Sequence, residues 1–354
     1  MKTQLPPFSL SYTPDVPQIF NSLNCSVAIS TYQAGKVILL SARDQDKLIQ
    51  LPRTFDNAMG MAYSKQKLAI ACKNSLLVLK NSPTNAPSYP AKPKTYDALF
   101  LPRCSYYTGN INLHDMAYIN NKLIVVNTLF SCLSEINEEY SFQPFWKPDF
   151  ISELKPEDRC HLNGMAILDE KIEYVTALGQ TNSFGGWREN KIRGGILMHV
   201  PSGEVVLDSL SMPHSPRIYN DEIYFLNSAQ GELCKADPEK RTYEVITHLG
   251  GFARGMSKLG DYLFIGVSRL RHSSDVFKDL PIAKTSFAGV VIVYLPYGNI
   301  VGQISYQTSV EEIYDVQVLP DLVRPGLLNA EREEGIMALV TPTDSYWAEY
   351  ENKK

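Results

Sequence analysis

Six short stretches of this chain resemble one another, and a repeat of their spacing restricts the fold more than any other feature. They are Asn57-Ala-Met-Gly-Met-Ala-Tyr63, His114-Asp-Met-Ala-Tyr118, His161-Leu-Asn-Gly-Met-Ala166, His214-Ser-Pro-Arg-Ile-Tyr219, Arg254-Gly-Met-Ser257 and Glu312-Ile-Tyr-Asp-Val316. Each opens on a polar or ionisable residue and moves into small and apolar ones. In five of them a turn and a β-rich run follow, at 67–72, 122–127, 171–177, 222–227 and 262–268. The starts lie 57, 47, 53, 40 and 58 residues apart. Self-similarity at roughly 40–50 residues is the mark of a β-propeller, with one repeat per blade.

Other strand patterns fill the intervals, at 27–31, 37–41, 48–51, 76–79, 195–200, 204–207, 243–247, 288–295 and 300–306. They are short, rich in Val, Ile, Leu and Tyr, and separated by Gly, Asn, Asp and Pro. The stretch 81–94, with four prolines, reads as a loop. The N-terminal part offers three strands with no inner-strand motif before them, and the sixth motif supplies an inner strand near the other end. A closed ring leaves no free edge. Residues 26–52 and 311–319 are therefore expected to share one blade. The expectation is an all-β, six-bladed propeller over 26–320, whose N- and C-terminal segments share the closing blade. Residues 1–25 form a lead. Residues 321–354 form a tail that adds a strand at 335–341 or packs outside.

Composition fits such a core. Apolar residues are 44% and charged residues 20% of 354, enough for a large interior. The net charge is −4, whereas nucleic-acid binders usually show a basic excess, so nucleic acid is set aside as a partner. The start, Met1-Lys-Thr-Gln-Leu-Pro-Pro, lacks the apolar core of a secretion signal, and no apolar run approaches a membrane span. A cytoplasmic protein with no membrane partner is expected. The six cysteines form no Cys-x-x-Cys pair and no zinc-like cluster with histidine, and read as buried, reduced thiols.

In a propeller the start of each inner strand lies at the central channel on one face. The loop between the second and third strands of each blade opens on the same face. That loop spans 32–35 in the closing blade and is long at 179–194 and 269–287. Long structured loops in compact domains usually carry function. Around this mouth the pattern places Asp56, Asn57, His114, Asp115, His161, Asn163, His214, Arg217, Arg254, Glu311 and Glu312. Three of the six histidines begin successive inner strands. Three converging imidazoles at 114, 161 and 214 could hold a divalent transition metal, supply a general base, or bridge neighbouring blades by hydrogen bonds. Asp56, Asn163, Glu311 and Glu312 could hold a hard cation such as calcium, or be bridged by water.

The loop 179–195 mixes glycines with Trp187, Arg188, Asn190, Lys191 and Arg193, and the next long loop opens Val267-Ser-Arg-Leu-Arg-His272, with Arg269 and Arg271. Glycine frees the backbone, Trp offers a flat face, and Arg clamps a carboxylate or phosphate with two bonds. With Arg217 and Arg254 the mouth would collect at least six cations on an acidic chain, which points to an anionic ligand. The alternative is that these arginines pair with Glu189, Glu311 and Glu312. There is no Gly-x-Ser-x-Gly elbow, no His-Glu-x-x-His, no phosphate-cradling glycine loop and no dinucleotide fingerprint.

The stretches Ser30-Thr-Tyr-Gln-Ala-Gly-Lys36, Gly186-Trp-Arg-Glu-Asn-Lys191 with Gly194-Gly195, Met212-Pro-His-Ser-Pro-Arg217, Gly251-Phe-Ala-Arg-Gly255 and Gly266-Val-Ser-Arg-Leu-Arg271 together resemble the TIGR03032 family, mostly bacterial proteins of unassigned activity. The resemblance covers about residues 20–320 and implies a propeller-like fold without a reaction. More loosely, His-x-Asn-Gly-Met-Ala resembles inner strands of the gluconolactonase and strictosidine-synthase-like six-bladed propellers, where a channel-mouth metal or acid does the work. That is fold-level analogy, and no catalytic residue carries over.

The functional expectation is an enzyme of lyase, hydrolase or isomerase type acting on a small polar or anionic substrate at the mouth. Arg188, Arg217 and Arg254 would clamp the anion, assisted by Trp187, Asn190, Arg269 and Asn57. His161 or His214 would act as base, Glu312 as acid or metal ligand and His114 as a further catalytic group, and a divalent metal could sit on the three histidines. The alternative is a non-catalytic propeller module that binds a peptide, a protein or a small anionic ligand.

Overall fold

The computed structural model describes residues 5–270, 280, 282 and 287–348. Six four-stranded antiparallel arrays form a six-bladed β-propeller. Blade 1 runs Met61–Ser64, Lys67–Ala71, Leu76–Asn81 and Ala98–Tyr106 from the channel outward. Blade 2 is Leu113–Ile119, Lys122–Asn127, Cys132–Ile136 and Gln143–Trp146. Blade 3 is Leu162–Leu168, Lys171–Ala177, Gly195–His199 and Glu204–Leu210. Blade 4 is Pro213–Tyr219, Glu222–Asn227, Glu232–Asp237 and Thr242–His248, and blade 5 is Phe252–Leu259, Tyr262–Ser268, Gly289–Tyr294 and Asn299–Tyr306.

Local chemistry sets the inner hairpins. In blades 1 to 4 two residues join the first and second strands, both left-handed: Lys65-Gln66, Asn120-Asn121, Asp169-Glu170 and Asn220-Asp221. Positive φ at both central positions is the two-residue turn whose twist matches that of paired strands, and after glycine Asn and Asp tolerate it best.

Blade 6 closes the ring as the sequence pattern requires. Its inner strand, Asp315–Pro320, pairs antiparallel with Cys25–Thr31, from Ser30 opposite Asp315 to Cys25 opposite Pro320. Lys36–Ala42 and Leu48–Thr54 complete it. The blade thus joins strands nearly three hundred residues apart by backbone hydrogen bonds and apolar packing, with no disulfide between them.

The segments flanking the ring brace the neighbours of that blade. Leu10–Tyr12 adds a fifth strand outside blade 5, and the helix Val16–Ser22 buries Val16, Ile19 and Phe20 beside it. Phe20 meets Phe264 of blade 5 edge-on at 5.7 Å. Pro325–Leu327 adds a fifth strand to blade 1, parallel to Ala98–Tyr106. The tail strand expected at 335–341 is Ala338–Val340, and it pairs with Ser345–Trp347 in a hairpin of its own rather than with the ring. Trp347 packs on Tyr89 at 5.6 Å. The core lies between adjacent blades; Val27, Ile29 and Ile38 of blade 6, for instance, are fully buried against Phe264, Val290 and Ile292 of blade 5. The six cysteines are free thiols, five of them buried and Cys104 half-buried.

Candidate functional site at the channel mouth

The channel is sewn together by polar side chains at the motif positions. In four blades a hydroxyl at the end of the second strand donates to a backbone carbonyl in, or just before, the inner strand of the next blade. Thr128 Oγ1 donates to Leu162 O at 2.6 Å, Ser228 Oγ to Ala253 O at 2.6 Å, Ser268 Oγ to Ile313 O at 3.0 Å and, in the closing blade, Ser30 Oγ to Met59 O at 2.6 Å. Deeper in the channel Asp115 accepts from the N–H of Met165 in blade 3 and Asp315 accepts from the N–H of Met61 in blade 1, at 3.1 and 2.7 Å.

Two motif histidines belong to this stitching. His114 Nδ1 lies 3.1 Å from Asn112 O and 2.8 Å from Thr128 Oγ1, and His214 Nδ1 lies 2.9 Å from both Met212 O and Ser228 Oγ. Because each hydroxyl spends its proton on a carbonyl, it can only accept from the imidazole. Nδ1 therefore carries the proton in both rings, and Nε2 is the bare nitrogen. Burial pushes both imidazoles well below their ordinary range, and the nearby Arg254 charge pushes the same way, as does His161.

His161 is held differently. Its Nδ1 lies 2.9 and 3.0 Å from the two oxygens of Asp158. Both residues have positive φ, 53° at His161 and 47° at Asp158, a conformation that non-glycine residues adopt sparingly and that collects at functional sites. The same carboxylate accepts from Trp187 Nε1 at 3.0 Å and faces Arg188 at 3.4 Å. One acid thereby ties the mouth of blade 3 to the loop that follows its second strand, where Gly186–Asn190 forms a short 3-10 turn.

These groups face a pocket of about 290 Å³ at the channel mouth. The structure brings His114, His161, Trp187, Arg188, Arg254, Arg269 and Glu312 into it together, with Tyr32, Phe252 and Tyr314 as aromatic walls. The rings of His114 and His161 meet edge to face at 4.7 Å, and His161 packs on Trp187 at 4.4 Å. Arg254 lies 4.7 Å over Tyr314 and 5.4 Å over Phe252, and forms an ion pair with Glu312 at 3.0 Å. Arg188 stacks on Trp187 at 4.4 Å and is half exposed.

Other expected site residues lie elsewhere. Arg217 is not at the mouth: it sits within the channel and grips Asp115 with two bonds, at 2.8 and 3.1 Å. Burial opposes its charge, but Asp115 outweighs burial and holds the guanidinium charged. Both terminal nitrogens are committed to Asp115 away from the pocket, so Arg217 is not available there as a clamp. His214 lies beneath the pocket, 1% exposed, with its ring 5.7 Å from Phe252. Asn57 is half-buried with a left-handed backbone, and Asn190 is exposed; neither lines the pocket. Arg193 is exposed and does not line the pocket either. The expected collection of at least six cations thus reduces, among the described residues, to Arg188, Arg254 and Arg269 in the pocket. Arg271 and His272 lie outside the described residues.

The metal sites expected from the sequence do not form in this arrangement. Among the described residues no three His, Cys, Asp or Glu side chains are placed to hold a metal ion. His214 is sealed below His114 and His161, and the Arg254 charge stands among them, which opposes a cation. The calcium alternative is dispersed too, since Asn163 bonds Thr176 and Pro213 O while Glu312 bonds Arg254. Sequence reasoning missed Asp158, Tyr32 and Tyr314. The position of Asp158, three residues before His161, was the available signal.

Fold and pocket together define a six-bladed propeller with a cationic, aromatic-walled cavity at one mouth. The chain belongs to a family described as a domain of unknown function (DUF4915), whose model matches residues 14–328. No curated protein sequence matches it. Similar solved structures share the fold alone. One, described as a nidogen/laminin complex, is 7% identical with a TM-score of 0.53, over 84% of this chain and 99% of the matched chain. Another, a protein of unknown function from Bacteroides caccae, is 9% identical with a TM-score of 0.51, over 83% of this chain and 98% of the other.

Proposed function

We propose that the mouth pocket binds a small organic anion and acts on it as an enzyme, with His161 as general base. The observation that carries this reading is the His161–Asp158 pair opening on a cavity that also holds Arg188, Arg254 and Arg269. A carboxylate on Nδ1 fixes the imidazole orientation, turns Nε2 toward the ligand and stabilises the imidazolium formed when it takes a proton. The arginines hold the anion, and the aromatic walls exclude water around it, which strengthens those contacts. Lyase, hydrolase and isomerase reactions can each begin with such a proton transfer.

The test is a thermal-shift series with small carboxylates and inorganic phosphate, followed by mass spectrometry of the incubated ligand. A ligand at a hundred times its Kd stabilises the native state by about 2.7 kcal/mol. Arg254→Met is expected to abolish the shift, whereas His161→Asn should retain binding and lose turnover. If no anion raises Tm, the reading fails. One observation favours a binding module instead: Glu312, the expected acid, is engaged by Arg254, and His114 is held neutral, so neither is a ready proton donor. Tight binding without conversion of any bound anion would decide for that module.

A further inference from the structure

We infer that the ligand of this pocket carries a hydroxyl group beside its anionic group, and that His114 reads the hydroxyl through Nε2. The inference rests on the anion-pocket reading above and narrows it to hydroxy-carboxylates.

The argument is one of donors and acceptors. Thr128 Oγ1 gives its proton to Leu162 O at 2.6 Å, so toward His114 it can only accept, and Asn112 O can only accept as well. Both neighbours of Nδ1 demand the proton there. Protonating Nε2 instead would leave Nδ1 facing two acceptors with nothing to offer. The ring lines the pocket, with Nδ1 turned into the blade, so Nε2 is the nitrogen a ligand meets. A fixed lone pair accepts from a donor and repels another acceptor. An ether, a carbonyl or a second carboxylate at this point would leave both groups unpaired, which selects against such ligands.

The donor is a hydroxyl rather than an ammonium because of its surroundings. Arg188, Arg254 and Arg269 line the same cavity and disfavour a second cation. The Arg254 charge acts on His114 itself, pressing its pKa down in the same direction as burial, so the ring stays an acceptor at neutral pH. His214 carries the same lock, through Met212 O and Ser228 Oγ, but its Nε2 is buried and bonds no described residue. The lock thus recurs in blades 2 and 4, and only in blade 2 does it face the cavity.

The experiment measures, on the full chain, the affinity of carboxylate pairs that differ by one oxygen. Lactate is compared with propionate, malate with succinate and mandelate with phenylacetate, each hydroxy acid as both enantiomers. Methoxyacetate is set beside glycolate as an acceptor-only control. The expected result is a hydroxy acid bound about tenfold tighter or better than its parent, with methoxyacetate no better than acetate. That gap should close in His114→Phe, while binding of the parent carboxylate persists. Nitrogen-15 spectra of the wild-type imidazoles should show His114 Nε2 unprotonated at pH 7, which keeps the test open should His114→Phe not fold. Equal affinities within every pair, or a protonated Nε2, would overturn the inference while leaving the anion pocket standing. Absence of binding by all of these carboxylates would overturn the inference, and absence of binding by inorganic phosphate as well would overturn the anion-pocket reading with it.

Discussion

At the residue scale, the mouth and channel are ordered by a few carboxylates that each serve several partners. Asp158 serves His161, Trp187 and Arg188 at once, and Asp115 serves Arg217 and two inner strands. This has a consequence for pH. His114 and His214 have folded pKa values depressed below the ordinary 6.5, so the unfolded chain binds protons first as the pH falls. Their neutral burial is compatible with full stability above about pH 6.5, and stability is lost as the pH falls below it. Asp315 acts in the opposite sense over part of this range, because burial and the nearby Asp115 raise its pKa to about 7. Wild type is therefore best compared with His214→Phe, which keeps Asp315. Urea denaturation at pH 7 and pH 5 should show a smaller loss of stability in the variant. An equal loss in both proteins would mean that His214 is not held neutral.

At the element scale, the inner strands reach the mouth through irregularities. The register shifts between His214 and Arg217 in blade 4, and between Ala253 and Met256 in blade 5. Such bulges turn side chains and often flank functional sites. In blade 5 the bulge depends on Gly255, at φ 76°, where an added Cβ would come within 2.6 Å of Asp315 Cα and of Val316 N in the closing strand. Both contacts are backbone, so neither can swing aside. Gly255→Ala is expected to cost about 2–4 kcal/mol, from strained φ and overpacking together. Chemical denaturation measures it; a cost below about 0.5 kcal/mol would show that blades 5 and 6 are not in this close contact.

At the scale of the whole molecule, closure decides integrity. Blade 6 is held by the pairing of 25–31 with 315–320, and the flanking segments lie on blades 5 and 1 on either side of it. Pro325–Leu327 covers the outer edge of Ala98–Tyr106, and Leu327 and Leu328 are fully buried there. Truncation after Pro320 would uncover that edge and its apolar floor, and an uncovered edge is a template for pairing with another chain. The truncated protein is expected to melt lower and to form aggregates that grow with concentration, as light scattering would show. Unchanged melting and scattering would mean that the tail does not support the ring.

Much of this architecture is legible in the sequence because it is written locally. The six spaced motifs, the Asn- and Asp-rich turns and the unpaired N-terminal strands specify six blades and their closure, since strand period and turn chemistry are properties of a few consecutive residues. The same pattern placed His114, His161, Trp187, Arg188, Arg254, Arg269 and Glu312 at one mouth. It could not say which polar residues would already be occupied. Arg217 finds Asp115 102 positions away, and Arg254 finds Glu312 58 positions away. His214 has the same motif start as His114 yet lies sealed beneath the pocket. Burial and partnership are set by how blades pack around the channel, so the contents of the site, unlike the ring that carries it, were decided only in three dimensions.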